Sequence, residues 1–204
     1  MRMKISVIRL LDKEGNIPYG VFRGFSQEFY ESESPLSIKS DQCICIYVIK
    51  GEINPDLPFF TKYGSFYING TSRFVASMSE EEKGRIRNTC NRMGYESVAL
   101  IPIRVEERII GLIHLADKHE QKIFREMVEI LENIAMQLGT ALLRIWAEDE
   151  LKQYQIHLED LVQERTAKLQ SAQHDLKIYS ESLEEMIEQF TTQFHTILLP
   201  YLII

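Results

Sequence analysis

Past Gly111 the chain contains a single further glycine, Gly139, and a single proline, Pro200. These residue types break helices more strongly than any other, at about 1 and 3 kcal/mol relative to alanine. Their absence commits roughly the last 80 residues to helix. Within that stretch Phe124, Met127, Val128, Leu131, Ile134, Ala135, Leu138, Leu142 and Ile145 fall on one broad apolar stripe, the pattern of a helix packed on a domain. Beyond it, Leu151, Leu158, Leu169, Leu176, Leu183, Phe190 and Ile197 follow at steps of seven with one step of eleven. Tyr154, Leu161, Ala172, Tyr179 and Met186 stand three residues after most of them. This is a coiled-coil seam over residues 147–197 with a stutter near Arg165. A helix from Lys122 to His195 would extend roughly 110 Å and needs a partner, most simply a second copy of itself.

Charge follows the same division. Between Ala147 and His195 four basic residues face eleven acidic ones, which accounts for the whole net charge of −7. An acidic helix beside a neutral domain has no basic stripe for phosphates, so nucleic acid and membrane surfaces are poor partners and proteins are favoured. The amino-terminal apolar run is followed at once by Asp12 and Glu14 and lacks a small-residue cleavage site, unlike a signal peptide. The apolar tail, residues 198–204, is too short to span a bilayer. The expected location is cytoplasmic, where the three cysteines stay reduced.

Ahead of the helix the signals are those of strands. Lys4 to Leu11 and Tyr19 to Phe25 are β-type runs separated by the turn Asp12-Lys-Glu-Gly15-Asn16, an antiparallel hairpin. An acidic, serine-rich loop follows, then the apolar segment Asp41 to Gly51, which fits a buried strand or a short helix. Pro55 and Pro58 mark a loop, and Ser65 to Ile68 is a short strand ended by Asn69-Gly70. Ser79 with Glu80, Glu81 and Glu82 predicts a capped helix running to about Met93. Ser97 to Val105 and Arg108 to Leu115, joined through Glu106-Glu107, predict a second hairpin.

This order of elements resembles a GAF domain over Lys4 to Trp146. The resemblance is carried by Phe22-Arg-Gly-Phe-Ser26, by Leu57-Pro-Phe-Phe-Thr61 with Gly64-Ser-Phe66, and by Tyr95 to Arg104 leading to Ile109-Ile-Gly-Leu112 and Gly111-Leu-Ile-His-Leu115. These words are similar to a GAF subgroup attached to sensor histidine kinases, which shares a Cys-x-Cys and a later cysteine, here Cys43, Cys45 and Cys90. The resemblance implies an α/β (α+β) fold: an antiparallel sheet flanked by helices over residues 1–146, lacking the family's opening helix. It makes Asp41 to Lys50 a helix stopped by Gly51. Leu158 to Leu169 is similar to the signalling linkers that join sensor domains to kinase modules. No phosphoacceptor or nucleotide-binding motif follows, so the expectation is a sensory module without a catalytic kinase.

The candidate site residues are few. Three thiolates with an imidazole such as His114 would suit zinc, and thiolates also hold iron–sulfur clusters, making Cys43, Cys45, Cys90 and His114 a candidate metal set. On a regular helix positions 43 and 45 lie about 200° apart, so both could reach one point only from a frayed first turn. The competing reading is three buried cysteines acting as small hydrophobes. A thiol redox sensor is intermediate, with Arg87 and Arg92 favouring a thiolate at Cys90. The resemblance further implies a small-ligand pocket between the sheet and the cysteine-bearing helix, with Tyr67, Tyr95, His114 and Phe25 as lining. The expected function is a cytoplasmic signal-transduction module of the two-component type. It would sense a small ligand, metal or redox state and transmit through a homodimeric coiled coil to a histidine kinase or other signalling protein. The alternatives are a dimerisation adaptor that senses nothing and a GAF-type free methionine sulfoxide reductase.

Overall fold

The computed structural model describes residues 5–34, 36–84 and 86–198. The chain divides into two units, 1–145 and 146–204. The first is built on a five-stranded antiparallel sheet of order β3-β1-β7-β6-β5. Its strands are β1 (Ile5–Leu10), β3 (Tyr19–Arg23), β5 (Phe66–Asn69), β6 (Ser97–Val105) and β7 (Arg108–Asp117). The short strands β2 (Asn16–Ile17) and β4 (Leu36–Ser37) form a separate ribbon. Both predicted hairpins are present: Val7 pairs with Phe22, and Ile101 with Ile113. The turn between β6 and β7 is made by Glu106 at φ 54°, a left-handed conformation.

The sheet is buried on both faces, which is why Ser97 to Ile103 reads as a continuous buried run rather than an alternating one. Alternation along each strand still sorts the side chains. Val7, Val98, Leu100, Leu112, Ala116 and Phe66 face one core together with Ile46, Val48 and Ile49 of α2 (Ile44–Lys50). Ala99, Ile101, Ile103, Ile113 and Leu115 face a second core with Ile123, Val128 and Ala135. The last two belong to α6 (Arg125–Leu198), which begins within the first unit and continues as the second.

Helix α2 ends as the resemblance implies: Gly51 at φ 70° closes it, its N–H donating to the carbonyls of Tyr47 and Val48. Two expectations are corrected. The acidic, serine-rich loop contains a helix, α1 (Gln27–Glu33), started by Ser26, whose hydroxyl accepts from the Phe29 N–H at 3.2 Å. The helix expected from Ser79 to Met93 is broken into α4 (Glu80–Gly84) and α5 (Thr89–Arg92), because Asn88 turns left-handed at φ 56° between them. A further helix, α3 (Thr71–Ser77), precedes them.

In the second unit residues 146–198 are helical, and Leu158, Leu169, Leu176 and Leu183 of the heptad seam are each more than half exposed. The tail from residue 199 onward and the first four residues lie outside the described residues. Among the described residues no helix is long and apolar enough to cross a membrane.

Candidate functional site: a thiol-lined cavity

Cys43 and Cys45 reach one place because of how α2 begins. Cys43 is the N-cap residue, extended at φ −149° and ψ 156°, and only from Ile44 does the chain turn helical. The two cysteines therefore escape the opposed directions of a regular helix, and both line one cavity. Cys90 arrives from α5, which Arg87 pins in place. The Arg87 N–H donates to the carbonyl of Gln42 at 3.0 Å, and its guanidinium bonds the Asp41 carboxylate at 3.0 Å, the Ser32 carbonyl at 2.6 Å and the Glu33 carboxylate at 3.4 Å. One arginine thus ties the end of α1, the approach to α2 and the approach to α5 together. All three cysteines then line one cavity of about 40 Å³ between the sheet and α2, walled otherwise mainly by Phe66, Ile68, Phe74, Val98 and Leu100.

Beside this cavity the sheet carries a charge that sequence reasoning missed. Arg9 lies near the end of β1 with none of its surface exposed. Its Nε donates to the Ile17 carbonyl at 2.8 Å, a second nitrogen donates to the Glu33 carbonyl, and its guanidinium stacks 4.1 Å from the centre of the Tyr19 ring. Its remaining nitrogen, Nη1, is buried with no hydrogen-bond partner. A guanidinium is effectively always charged, so this positive charge acts on everything nearby. The signal in the sequence was alternation: Val7 and Arg9 share a face of β1, and Val7 faces the cysteine-side core.

His114, on β7, joins the same face. Its Nε2 lies 3.8 Å from Cys90 Sγ, its ring is 5.5 Å from Phe25, and its Nδ1 is buried without a partner. Burial, aided by the Arg9 charge, pushes its pKa down to about 3, so the imidazole is neutral. The thiols are not equivalent. Cys45 hydrogen-bonds to Cys43 and so lowers the pKa of Cys43 against the opposing effect of burial. Cys45 is pushed well up by that same bond and by burial, and Cys90 is pushed well up by burial. The thiolate-prone sulfur is therefore Cys43, not Cys90 as the nearby arginines suggested. Arg87 is occupied by the acidic groups above, and Arg92 bonds the Thr89 hydroxyl.

The remaining candidates divide. Tyr95 is buried on the cysteine side, edge-on to Phe25 at 5.6 Å and Phe29 at 5.4 Å. Tyr67 is corrected: Phe66 and Ile68 point to the cavity, so strand alternation sends Tyr67 to the opposite core, against α6. Among the described residues no group of three or more His, Cys, Asp or Glu side chains is disposed to hold a metal ion. Cys43, Cys45 and Cys90 are instead free thiols lining one cavity, with Cys90 facing the neutral imidazole of His114. A larger groove of about 640 Å³ lies elsewhere in the first unit, lined by charged groups such as Arg104, Arg125 and Glu132, and contains none of the candidate residues.

The antiparallel sheet flanked by helices defines an α+β domain, and comparison with known proteins gives its family. The model of the GAF domain matches residues 28–142, more than half of the chain; the chain belongs to the GAF domain family. Among solved structures, it is similar to a domain of a protein described as a two-component sensor histidine kinase from Sinorhizobium meliloti 1021, with a TM-score of 0.51 at 18% identity over 74% of this chain and 85% of that one. It is also similar to the GAF domain of an Acinetobacter phosphoenolpyruvate-protein phosphotransferase, with a TM-score of 0.51 at 15% identity over 72% and 75% of the two chains. A GAF domain/HD domain protein from Geobacter sulfurreducens gives 0.52 at 9% identity over 72% and 84%. At these identities the likeness is one of fold. No curated protein matches the chain.

Proposed function

We propose that this chain is a cytoplasmic sensory module of signal transduction, with the thiol-lined cavity as its input and a parallel homodimeric coiled coil over residues 147–197 as its output path to a histidine kinase or another signalling protein. The observation that carries the reading is the convergence of Cys43, Cys45 and Cys90 from separate segments on one cavity beside a fully buried arginine. The exposed leucine seam supports the output half: Leu176 is 69% and Leu169 60% exposed in a single copy, and apolar surface in a heptad row marks an interface.

The cavity also weighs on the alternatives. At about 40 Å³ it is far smaller than the several hundred Å³ of a metabolite pocket, which favours sensing over turnover of an amino-acid-sized substrate such as methionine sulfoxide. Buried Arg9, with Nη1 unpartnered, favours a responsive site over an inert dimer cap. Light scattering of the chain is expected to give twice the monomer mass at micromolar concentration, and Leu176→Asp is expected to return it to monomer. A monomeric wild type, or a dimer indifferent to Leu176→Asp and to a like change at Leu169, would overturn the coiled-coil output.

A further inference from the structure

The size of the cavity limits what it can receive. A volume of about 40 Å³ admits two or three molecules the size of water, so the input is either a very small molecule or a change in the walls themselves. Those walls carry one kind of reactive group, the thiol. Behind them stands the buried charge of Arg9, which favours the ionised form of Cys43, Cys45 and Cys90 alike. The Glu33 charge opposes it at Cys43 and Cys90, raising both thiols, while Arg9 keeps Nη1 buried without a hydrogen-bond partner.

Resting on the sensory reading of this cavity, we propose that Cys43 and Cys45 are a peroxide-reactive pair, which hydrogen peroxide oxidises to a disulfide within the first turn of α2. Both side chains line the same cavity. With Ile44 in helical conformation between them, their Cα atoms stand about 5.4 Å apart, inside the range that a disulfide spans. The Cys43 thiolate attacks one peroxide oxygen and the O–O bond breaks. The departing hydroxide takes the proton of the Cys45 thiol, leaving a sulfenic acid on Cys43, a thiolate on Cys45 and one water. The Cys45 thiolate then attacks Cys43 Sγ, the S–O bond breaks, and the second hydroxide combines with the proton that Cys43 released on ionising. Two thiols lose two electrons, and one peroxide becomes two waters. Cys90, facing His114, is a bystander in this step.

The test uses the reduced full chain with one equivalent of hydrogen peroxide, quenched with a maleimide and mapped by peptide mass spectrometry. The expected product links Cys43 to Cys45 while Cys90 remains alkylated. Cys45→Ala is expected to trap a sulfenic acid on Cys43 that dimedone labels, and Cys43→Ala to consume peroxide at least tenfold more slowly than wild type. If a thermal melt shows either variant unfolded, dimedone labelling of wild type at early times decides instead, with Cys43 expected as the first residue labelled. Oxidation of Cys90 first, equal reaction of all three thiols, or a folded Cys43→Ala that consumes peroxide at the wild-type rate would overturn the proposal. Light scattering on the same samples separates the two claims. A dimer that ignores peroxide refutes the pair alone; a monomer that forms the disulfide refutes the dimeric output alone.

Discussion

Arg9 and His114 are polar residues in a position where the sheet expects hydrophobes, and each changes what the domain tolerates. His114 is fully buried with its pKa near 3, against an ordinary 6.5. Between those values the unfolded chain binds a proton that the folded chain refuses. Its contribution to stability is therefore complete above about pH 6.5 and is lost as pH falls toward 3, at about 1.4 kcal/mol per pH unit. Urea unfolding at pH 7 and pH 5 is expected to show a loss in wild type about 2 kcal/mol larger than in His114→Gln; equal losses would contradict the buried neutral imidazole. Arg9 gives no such handle, because a guanidinium does not deprotonate in this range. Its effect is read through the sulfurs beside it.

At the scale of elements, the domain depends on a few close approaches. A Cβ placed on Gly139 would stand 2.0 Å from the Arg104 carbonyl oxygen, so α6 lies against the end of β6 with no room for a methyl group. In a free helix Gly→Ala is favourable by about 1 kcal/mol. Here Gly139→Ala is expected to lower stability by about 3 kcal/mol, since the obstacle is backbone and cannot rotate away. A denaturant melt showing stabilisation would contradict this packing. The same scale explains what the sequence disclosed. The β1–β3 and β6–β7 hairpins rest on local turn chemistry and were legible, whereas the helix stopped by Gly51 came from the family resemblance, since an apolar run of that length fits strand and helix alike. The break at Asn88 was not, because Arg87 holds that segment to Glu33 and Asp41, more than forty residues away in sequence. Helix α1 was hidden because it is only seven residues long and is held by Phe29, which is wholly buried among distant side chains. Tyr67 was misplaced for lack of a register; once Phe66 is paired with Leu100, alternation alone assigns it to the other face. The convergence of Cys90 with the Cys-x-Cys pair came from the family resemblance, since spacing alone sets Cys43 and Cys45 apart on a helix or on one face of a strand and says nothing of Cys90.

For the whole molecule the proposed input lies in the first unit and the proposed output in the second. The apolar stripe of α6 within the first unit is only partly used there: Ile134 is 48% exposed, whereas Met127 and Leu138 are half-buried against the second core. A partner copy that covered the leucine seam would give the dimer a helical interface along which a change of register at the Arg165 stutter could travel. Hydrogen–deuterium exchange on the dimeric full chain, reduced and then oxidised at Cys43, tests this joining most directly. The account predicts altered protection at α2 and, in the same sample, along residues 147–197. Altered protection confined to α2 and α5, with the exchange of residues 147–197 unchanged while mass spectrometry shows Cys43 oxidised, would contradict it.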